Sequence, residues 1–185
     1  MTLEFKLALV AVGIWLMAGG SPAPRKRVRV RSVSSKAAPL EHQTAVLDAL
    51  AAMGWPRREV NASIRTESGW NPAARNPTTD ASGLIQFMPR TLELLGWKQG
   101  TAAFRQLSAV EQIPWVQKYF SRLRWREPGD TYVALAYPAA LGKDDGHIVA
   151  LPGSPVWRQN PSWRVPGGGP VTAGSIRDVL RRRGL

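Results

Sequence analysis

The sequence predicts a mostly α-helical domain built of short helices, with little or no sheet. Apolar residues recur three and four positions apart in several segments, which is the spacing of one helix face. Glycine or proline ends most of these segments, and no segment shows the sustained alternation of a half-buried strand. Hydrophobic residues make up 44% of the 185-residue chain, so it can form a core.

The first two helices are predicted in the segments LEHQTAVLDALAAMG and PRREVNASIRTESG. In the first segment, apolar residues recur at helical spacing and Gly54 stands in the stop position. In the second, Pro56 suits a helix start and Gly69 suits the position just past the end. Both helices therefore have boundaries that the sequence itself marks.

Three more helices are predicted farther along the chain. MPRTLELLG forms a short one, and the next opens at Ser108 with Glu111 in capping-box spacing. Pro114 is expected to kink or delay that helix, and DTYVALAYPAALG is expected to form one apolar helix across the core. A loop-rich stretch over 144–174 precedes a terminal helix capped by Ser175. The buried side of the Ser108 helix is predicted at Val116, Tyr119, Phe120 and Leu123.

The chain is expected to have three parts: an apolar leader over 1–20, a basic flexible linker over 21–36, and the domain over 37–185. Residues 7–20 are uncharged but shorter than the roughly 20 residues that span a bilayer, so they predict a signal peptide or a marginal membrane anchor. Pro, Ser and five basic residues within 25–31 are typical of a solvated linker.

The net charge of +12 favours polyanionic partners such as nucleic acid, anionic lipid or an acidic cell wall. Residues 37–185 carry 18 Lys+Arg and 12 Asp+Glu, so half of the net charge belongs to the first 36 residues. Besides a solvated linker, we consider membrane association through 7–20 and non-specific contact of 25–31 with anionic lipid or nucleic acid. The absence of Cys excludes disulfides and a Cys nucleophile.

Glu67 is a carboxylate on the apolar side of the second helix. Val60, Ile64 and Glu67 follow the i, i+4, i+7 spacing of one face. Burial would raise the pKa of Glu67, and an acid still protonated near neutral pH can act as a general acid. Ser68 could orient this carboxyl, while a solvent-exposed Glu at a frayed helix end explains the spacing equally well. Aromatic surfaces for sugar stacking are expected from Trp70, Phe87 and Trp97.

Three motifs carry a resemblance to a known family: Glu67-Ser68, the segment GLIQFMP over 83–89, and Ala-Leu-Ala-Tyr over 134–137. Together they resemble the soluble lytic transglycosylase family of the lysozyme-like superfamily, and most closely the members carried by bacteriophage virions. The resemblance covers roughly 40–151. It implies an α+β lysozyme-like fold, a compact bundle of short helices around a saccharide cleft.

The resemblance also implies a reaction and a set of site residues. Glu67 would act as general acid and then base on the MurNAc-β-1,4-GlcNAc bond of peptidoglycan glycan strands, forming 1,6-anhydro-MurNAc without cofactor or metal. Tyr137 would hydrogen-bond near Glu67. Pro138 stands where many members have Asn, so that Asn contact is missing or supplied otherwise. Substrate contacts are expected from Ser68, Gly83, Gln86, Phe87, Met88 and Tyr137.

Other functions remain open at this stage. A peptidoglycan hydrolase could use water with Asp80, although an Asp in such a loop is usually a turn former. A catalytically inactive wall-binding module is favoured by Pro138 and the high charge, and a nucleic-acid binder by the basic segment 25–31. The expected location is a phage virion and then the host periplasm or cell envelope, or alternatively the bacterial inner membrane and periplasm.

Overall fold

The computed structural model describes residues 36–183, so the predicted leader and nearly all of the predicted linker lie outside the described residues. Within 36–183 no helix is both long enough and apolar enough to cross a membrane. In chain order the α-helices are α1 (Leu40–Ala51), α2 (Arg57–Ser68), α3 (Pro89–Leu95), α4 (Gly100–Phe104), α5 (Ala109–Phe120), α6 (Asp130–Ala136), α7 (Pro155–Gln159) and α8 (Ala173–Arg182).

The prediction of a mostly helical domain with little sheet is confirmed. Strands β1 (Ile148–Ala150) and β2 (Val171–Thr172) form a two-stranded antiparallel sheet, the one sheet among the described residues. Two 3₁₀ turns complete the regular structure, at Pro138–Ala140 and Pro161–Trp163.

Apolar side chains form two adjoining clusters. The first lies among α1 to α5, where aromatic rings meet edge to face, as in the 4.6 Å contact between the Trp55 and Phe120 centroids. The second lies among α6, α8 and the small sheet. Trp70 and Trp97 belong to the first cluster and are 3% and 9% exposed. The expectation that these two rings offer sugar-stacking surfaces is therefore wrong, because packing already covers them.

The predicted capping box of Ser108 and Glu111 is confirmed, and Pro114 lies inside α5 without delaying its start. The helices α4 and α7 were not predicted, and two helix boundaries differ from the prediction. The predicted core-crossing helix ends at Ala136, since Tyr137 leaves helical geometry (φ −151°, ψ 75°) and Pro138 starts a 3₁₀ turn. The cap of α8 is Thr172, and Ser175 instead occupies the third helical position of a capping box.

A buried ion-pair cluster joins the C-terminal helix to α6. Arg177 of α8 is 4% exposed, and its guanidinium contacts Asp130 at 3.0 Å, Asp145 at 2.6 Å and Glu127 at 3.1 Å. Gly129 precedes α6 with φ +93°, and a Cβ there would lie 2.6 Å from Cβ of Arg177. The helices approach so closely at this point that only glycine fits.

Asp130→Ala should destabilise the domain because it removes a fully buried partner of a buried guanidinium. We expect the free energy of unfolding to fall by about 3–5 kcal/mol. Asp178→Ala is the matched control, since it breaks the exposed pair with Arg181 and should cost about 1 kcal/mol or less. Urea unfolding of both variants measures the difference, and equal losses would contradict the structural role given to Asp130.

Candidate active site

Glu67 lies in the last turn of α2, which Gly69 ends in left-handed geometry (φ +59°). Val60 and Ile64, on the same helix face, are each 1% exposed, and Glu67 is half-buried. The prediction that this carboxylate shares the apolar face is confirmed. Its position at the helix end leaves it partly open to solvent.

The surroundings of Glu67 favour its protonated form. Burial raises the pKa of Glu67 from 4.5 to about 7, and the positive charge of Arg183 acts in the opposite direction. Burial, and then the negative charge of Glu67, raise the pKa of the Tyr119 and Tyr132 hydroxyls above their ordinary value. Glu67 therefore lies within electrostatic range of one tyrosine from α5, one from α6 and an arginine at the end of α8.

Both tyrosine hydroxyls are held by hydrogen bonds. Tyr119 donates to the carbonyl oxygen of Ala134 at 2.7 Å, and the Tyr132 hydroxyl accepts from the Trp163 indole at 3.3 Å. The predicted bond from Tyr137 to Glu67 is not found within 36–183, and Tyr137 instead packs against the second apolar cluster. Neither Tyr119 nor Tyr132 was predicted at the site, because helical spacing identifies a buried tyrosine only as part of the core.

The motif segment after α2 forms a tight turn. Ser82 and Phe87 exchange two backbone hydrogen bonds, both 2.9 Å, which close a loop of the four residues between them. Gln86 adopts φ +52°, a strained value for a residue with a side chain, and its amide donates to the Gly83 carbonyl at 3.0 Å. The turn thus holds the Gln86 side chain in one position.

A small cavity beside Tyr119 collects three of the predicted site residues: Gln86, Phe87 and Met88. Phe87 is 2% exposed and meets Phe104 and Tyr119 edge to face. Its ring therefore forms an inner wall of the cavity, so the expectation of an open stacking surface is wrong for Phe87 as well. Ile85, Thr91 and Leu135 complete the lining.

Gly83 and Ser68, two of the predicted site residues, make close contacts within the protein. A Cβ on Gly83 would lie 2.6 Å from the side-chain oxygen of Gln112, so a side chain has no room there. The Ser68 hydroxyl donates to the carbonyl oxygens of Leu84 at 2.8 Å and Ile64 at 3.2 Å. Ser68 thus ties the turn to the end of α2, and its hydroxyl is not directed at Glu67.

Gln112 of α5 is a fully buried amide that the sequence analysis did not single out. Its oxygen accepts from the Leu84 backbone N–H at 3.0 Å, and its nitrogen donates to the carbonyl oxygens of Pro72 at 2.7 Å and Leu107 at 3.3 Å. The amide therefore joins two points of the segment after α2 to α5. Gln112 directly follows Glu111 of the capping box, and nothing in the local sequence indicates that its amide is buried and hydrogen-bonded to a distant loop.

Asp80 is engaged in a polar cluster at the other end of the turn. Its carboxylate accepts from Thr101 and forms ion pairs with Arg75 at 2.6 Å and Arg105 at 3.2 Å. Partial burial acts to raise the pKa of Asp80, but hydrogen bonds from Thr101 and Arg75 and the charges of both arginines outweigh it and lower the pKa. Within 36–183 no group of His, Cys, Asp or Glu is arranged to hold a metal ion.

Gln112→Leu should destabilise the domain, because it leaves the buried Leu84 N–H and the half-buried Pro72 carbonyl without their partner. We expect the free energy of unfolding to fall by about 2–4 kcal/mol. Gln117→Leu is the control on the same helix, since its amide makes one 3.3 Å bond to the Ala49 carbonyl and should cost about 1 kcal/mol. Chemical denaturation compares the two, and equal costs would contradict the role of Gln112.

Glu67→Gln should change stability in a pH-dependent way. The folded-state pKa of about 7 exceeds the ordinary 4.5, so the wild type loses stability as the pH rises between these values. The neutral amide does not titrate, and the variant should gain up to about 3 kcal/mol over the wild type above about pH 8, with no gain below about pH 4. Unfolding curves at several pH values measure the difference. If the difference in unfolding free energy between the variant and the wild type did not change with pH, the pKa of Glu67 would not be raised by folding.

A family model described as Transglycosylase SLT domain matches residues 45–143, which contain α2, α3, α4, α5, α6 and most of α1. No curated protein and no solved structure matched the chain. Because the family match spans more than half of the 185 residues, the chain belongs to the transglycosylase SLT domain family, which supports a peptidoglycan-cleaving function of the lytic transglycosylase type.

Proposed function

We propose that this protein is a peptidoglycan lytic transglycosylase in which Glu67 is the single catalytic acid and base. The observation that carries the proposal is a half-buried carboxyl at a helix end with a pKa of about 7. Such a group is protonated in much of the population at neutral pH and can also accept a proton in the next step. The adjacent turn over 83–86 supports the proposal, because it holds Gln86 beside the cavity that Tyr119 lines.

The reaction needs one proton donor that later becomes the acceptor. Glu67 gives its proton to the glycosidic oxygen between MurNAc and GlcNAc as the bond from C1 of MurNAc to that oxygen breaks. The resulting carboxylate takes the proton from the C6 hydroxyl of the same MurNAc, and O6 forms a bond to C1. The product carries a 1,6-anhydro ring, no water is consumed, and Glu67 regains its proton.

The surroundings of Glu67 suit both of its states. Burial favours the neutral acid before bond cleavage, while the positive charge of Arg183 stabilises the carboxylate that follows. Tyr119 and Tyr132 keep their protons at neutral pH, since the pKa of each hydroxyl is raised. Neither tyrosine therefore competes with Glu67 as a proton acceptor.

The contacts of Asp80 argue against a hydrolase that uses it as a second carboxylate. Thr101, Arg75 and Arg105 already occupy this carboxylate, and a lowered pKa makes it a poor base. Pro138 is buried at the start of a 3₁₀ turn and has no side-chain donor for a sugar. The half-buried amide of Gln86, which lines the same cavity as Tyr119, is the group that we assign to substrate contact.

We further propose that the enzyme opens the cell wall locally, either during phage entry or in wall remodelling. The sequence features behind this proposal are the apolar segment 7–20 and the basic segment 25–31. The apolar segment 7–20 would associate with a membrane, and the basic segment 25–31 would contact anionic lipid or nucleic acid. A virion and then the host envelope, or the inner membrane and periplasm, would both suit this arrangement.

The proposed chemistry is tested by mass spectrometry of the soluble products from purified peptidoglycan. The full-length chain should release fragments that end in 1,6-anhydro-MurNAc. Glu67→Gln should lower their yield by at least about 100-fold, because an amide cannot exchange the proton. The Glu67→Gln unfolding curves show whether the inactive variant is folded.

Two other outcomes would contradict the proposal. Fragments with a reducing-end MurNAc would mean that water is the nucleophile, and Asp80→Asn would then be examined for lost activity. No fragments from a folded wild-type chain would favour a wall-binding module without catalysis.

A further inference from the structure

A pocket on the outer side of α2 carries three guanidinium groups. Arg58 and Arg65 come from α2, and Arg183 comes from the end of α8. Arg58 and Arg65 are exposed, and their side chains have no hydrogen bond or ion pair with any residue of the described range 36–183. The pocket thus presents positive charge that the described part of the chain does not neutralise.

The rest of the lining suits a ligand that is partly polar and partly apolar. Asn61 and Thr66 supply an amide and a hydroxyl, and Ala62 and Leu180 supply an apolar wall. The lining contains no carboxylate. Paired guanidinium forks bind carboxylate or phosphate oxygens bidentately, so the expected ligand is an anion attached to a short chain with apolar groups.

A second pocket lies on the same side of α2, and its lining carries less uncompensated positive charge. It shares Arg58 and Leu180, but its lining includes the Glu59 carboxylate. Its Arg177 is already paired with three carboxylates, and Arg181 is paired with Asp178. That pocket is close to neutral, which leaves the pocket with Arg65 and Arg183 as the anion-selective one.

Arg183 connects this pocket with the catalytic end of α2. Positions 58, 61, 62, 65 and 66 share one helix face, and Glu67 lies on the opposite face. The Arg183 guanidinium nevertheless donates to the Thr66 hydroxyl at 3.3 Å, one residue from Glu67. A ligand in the pocket would therefore lie close to the end of α2 but on the helix face opposite Glu67.

We propose that this pocket binds the carboxylates of peptidoglycan stem peptides. The choice of ligand rests on the proposed function, because stem peptides are the anionic, partly apolar chains attached to the glycan that Glu67 would cleave. Arg183 and Leu180 lie in the C-terminal part of the chain, beyond the family-matched residues 45–143. The pocket thus combines residues of α2 inside the family-matched segment with two residues that lie beyond it.

The test is direct binding of a soluble stem tripeptide, L-Ala-γ-D-Glu-meso-diaminopimelate, to the full-length protein by NMR titration or calorimetry. Arg58→Gln/Arg65→Gln should weaken binding at least tenfold, because it removes both unpaired guanidinium groups. Arg183 is left unchanged, since its charge also acts on Glu67. The same tripeptide with its carboxyls amidated should not bind the wild type.

The matched control is Arg124→Gln/Arg158→Gln. It removes two exposed arginines that do not line the pocket and have no side-chain partner within the described residues, so it lowers the net charge equally. Its affinity for the tripeptide should stay within about threefold of the wild type. Thermal melts of both double variants show that they fold.

Each outcome bears on the pocket independently of catalysis. Equal weakening by both double variants would show that only net charge matters and would overturn the proposal. Tighter binding of inorganic phosphate or a short DNA duplex than of the tripeptide, with the same loss in Arg58→Gln/Arg65→Gln, would overturn it in favour of a phosphate polymer. Cleavage of glycan strands stripped of stem peptides tests the proposed transglycosylase activity alone. Peptide binding in the pocket and catalysis by Glu67 can therefore be refuted independently.

Discussion

The arrangement of the site depends on one buried amide, that of Gln112. The segment between α2 and α3 contains no helix, and Gln112 binds it at Leu84 and Pro72 from a fully buried position on α5. A buried amide that lost these partners would carry the full cost of desolvation, so the loop and the helix must stay together. Gly83 fits against the amide only because it lacks a side chain.

The consequence of this constraint reaches the catalytic end of α2. The carbonyl oxygen of Leu84, which Gln112 holds in place, accepts a hydrogen bond from the Ser68 hydroxyl. This bond anchors the turn over 83–86 to Ser68, the residue next to Glu67. The strained backbone of Gln86 is held by the same turn, and strain of this kind persists where the surrounding structure over-determines it. Gln86 and Ser68, the neighbour of Glu67, are therefore held by hydrogen bonds to one short segment, Gly83 and Leu84.

Two opposed effects set the acidity of Glu67, and they come from different parts of the chain. Burial raises its pKa, with Tyr119 and Tyr132 nearby on α5 and α6, while Arg183, directly after α8, supplies the opposing charge. The α8 helix is held in place by the buried pair of Arg177 with Asp130. Arg183 thus acts on Glu67 from beyond the family-matched residues 45–143.

The sequence by itself determined the helical class, the ends of α2 and α3 and the position of Glu67, because periodicity and terminators such as Gly69 act over a few residues. It also showed the family motifs, since their spacing is a property of the chain. Tertiary structure alone decided which polar groups meet: Gln112 with Leu84, and Tyr132 with Trp163. The residues in each pair lie far apart in sequence, so no local sequence pattern predicts their contact. Burial likewise removed predicted stacking surfaces, because a ring's exposure depends on what packs over it.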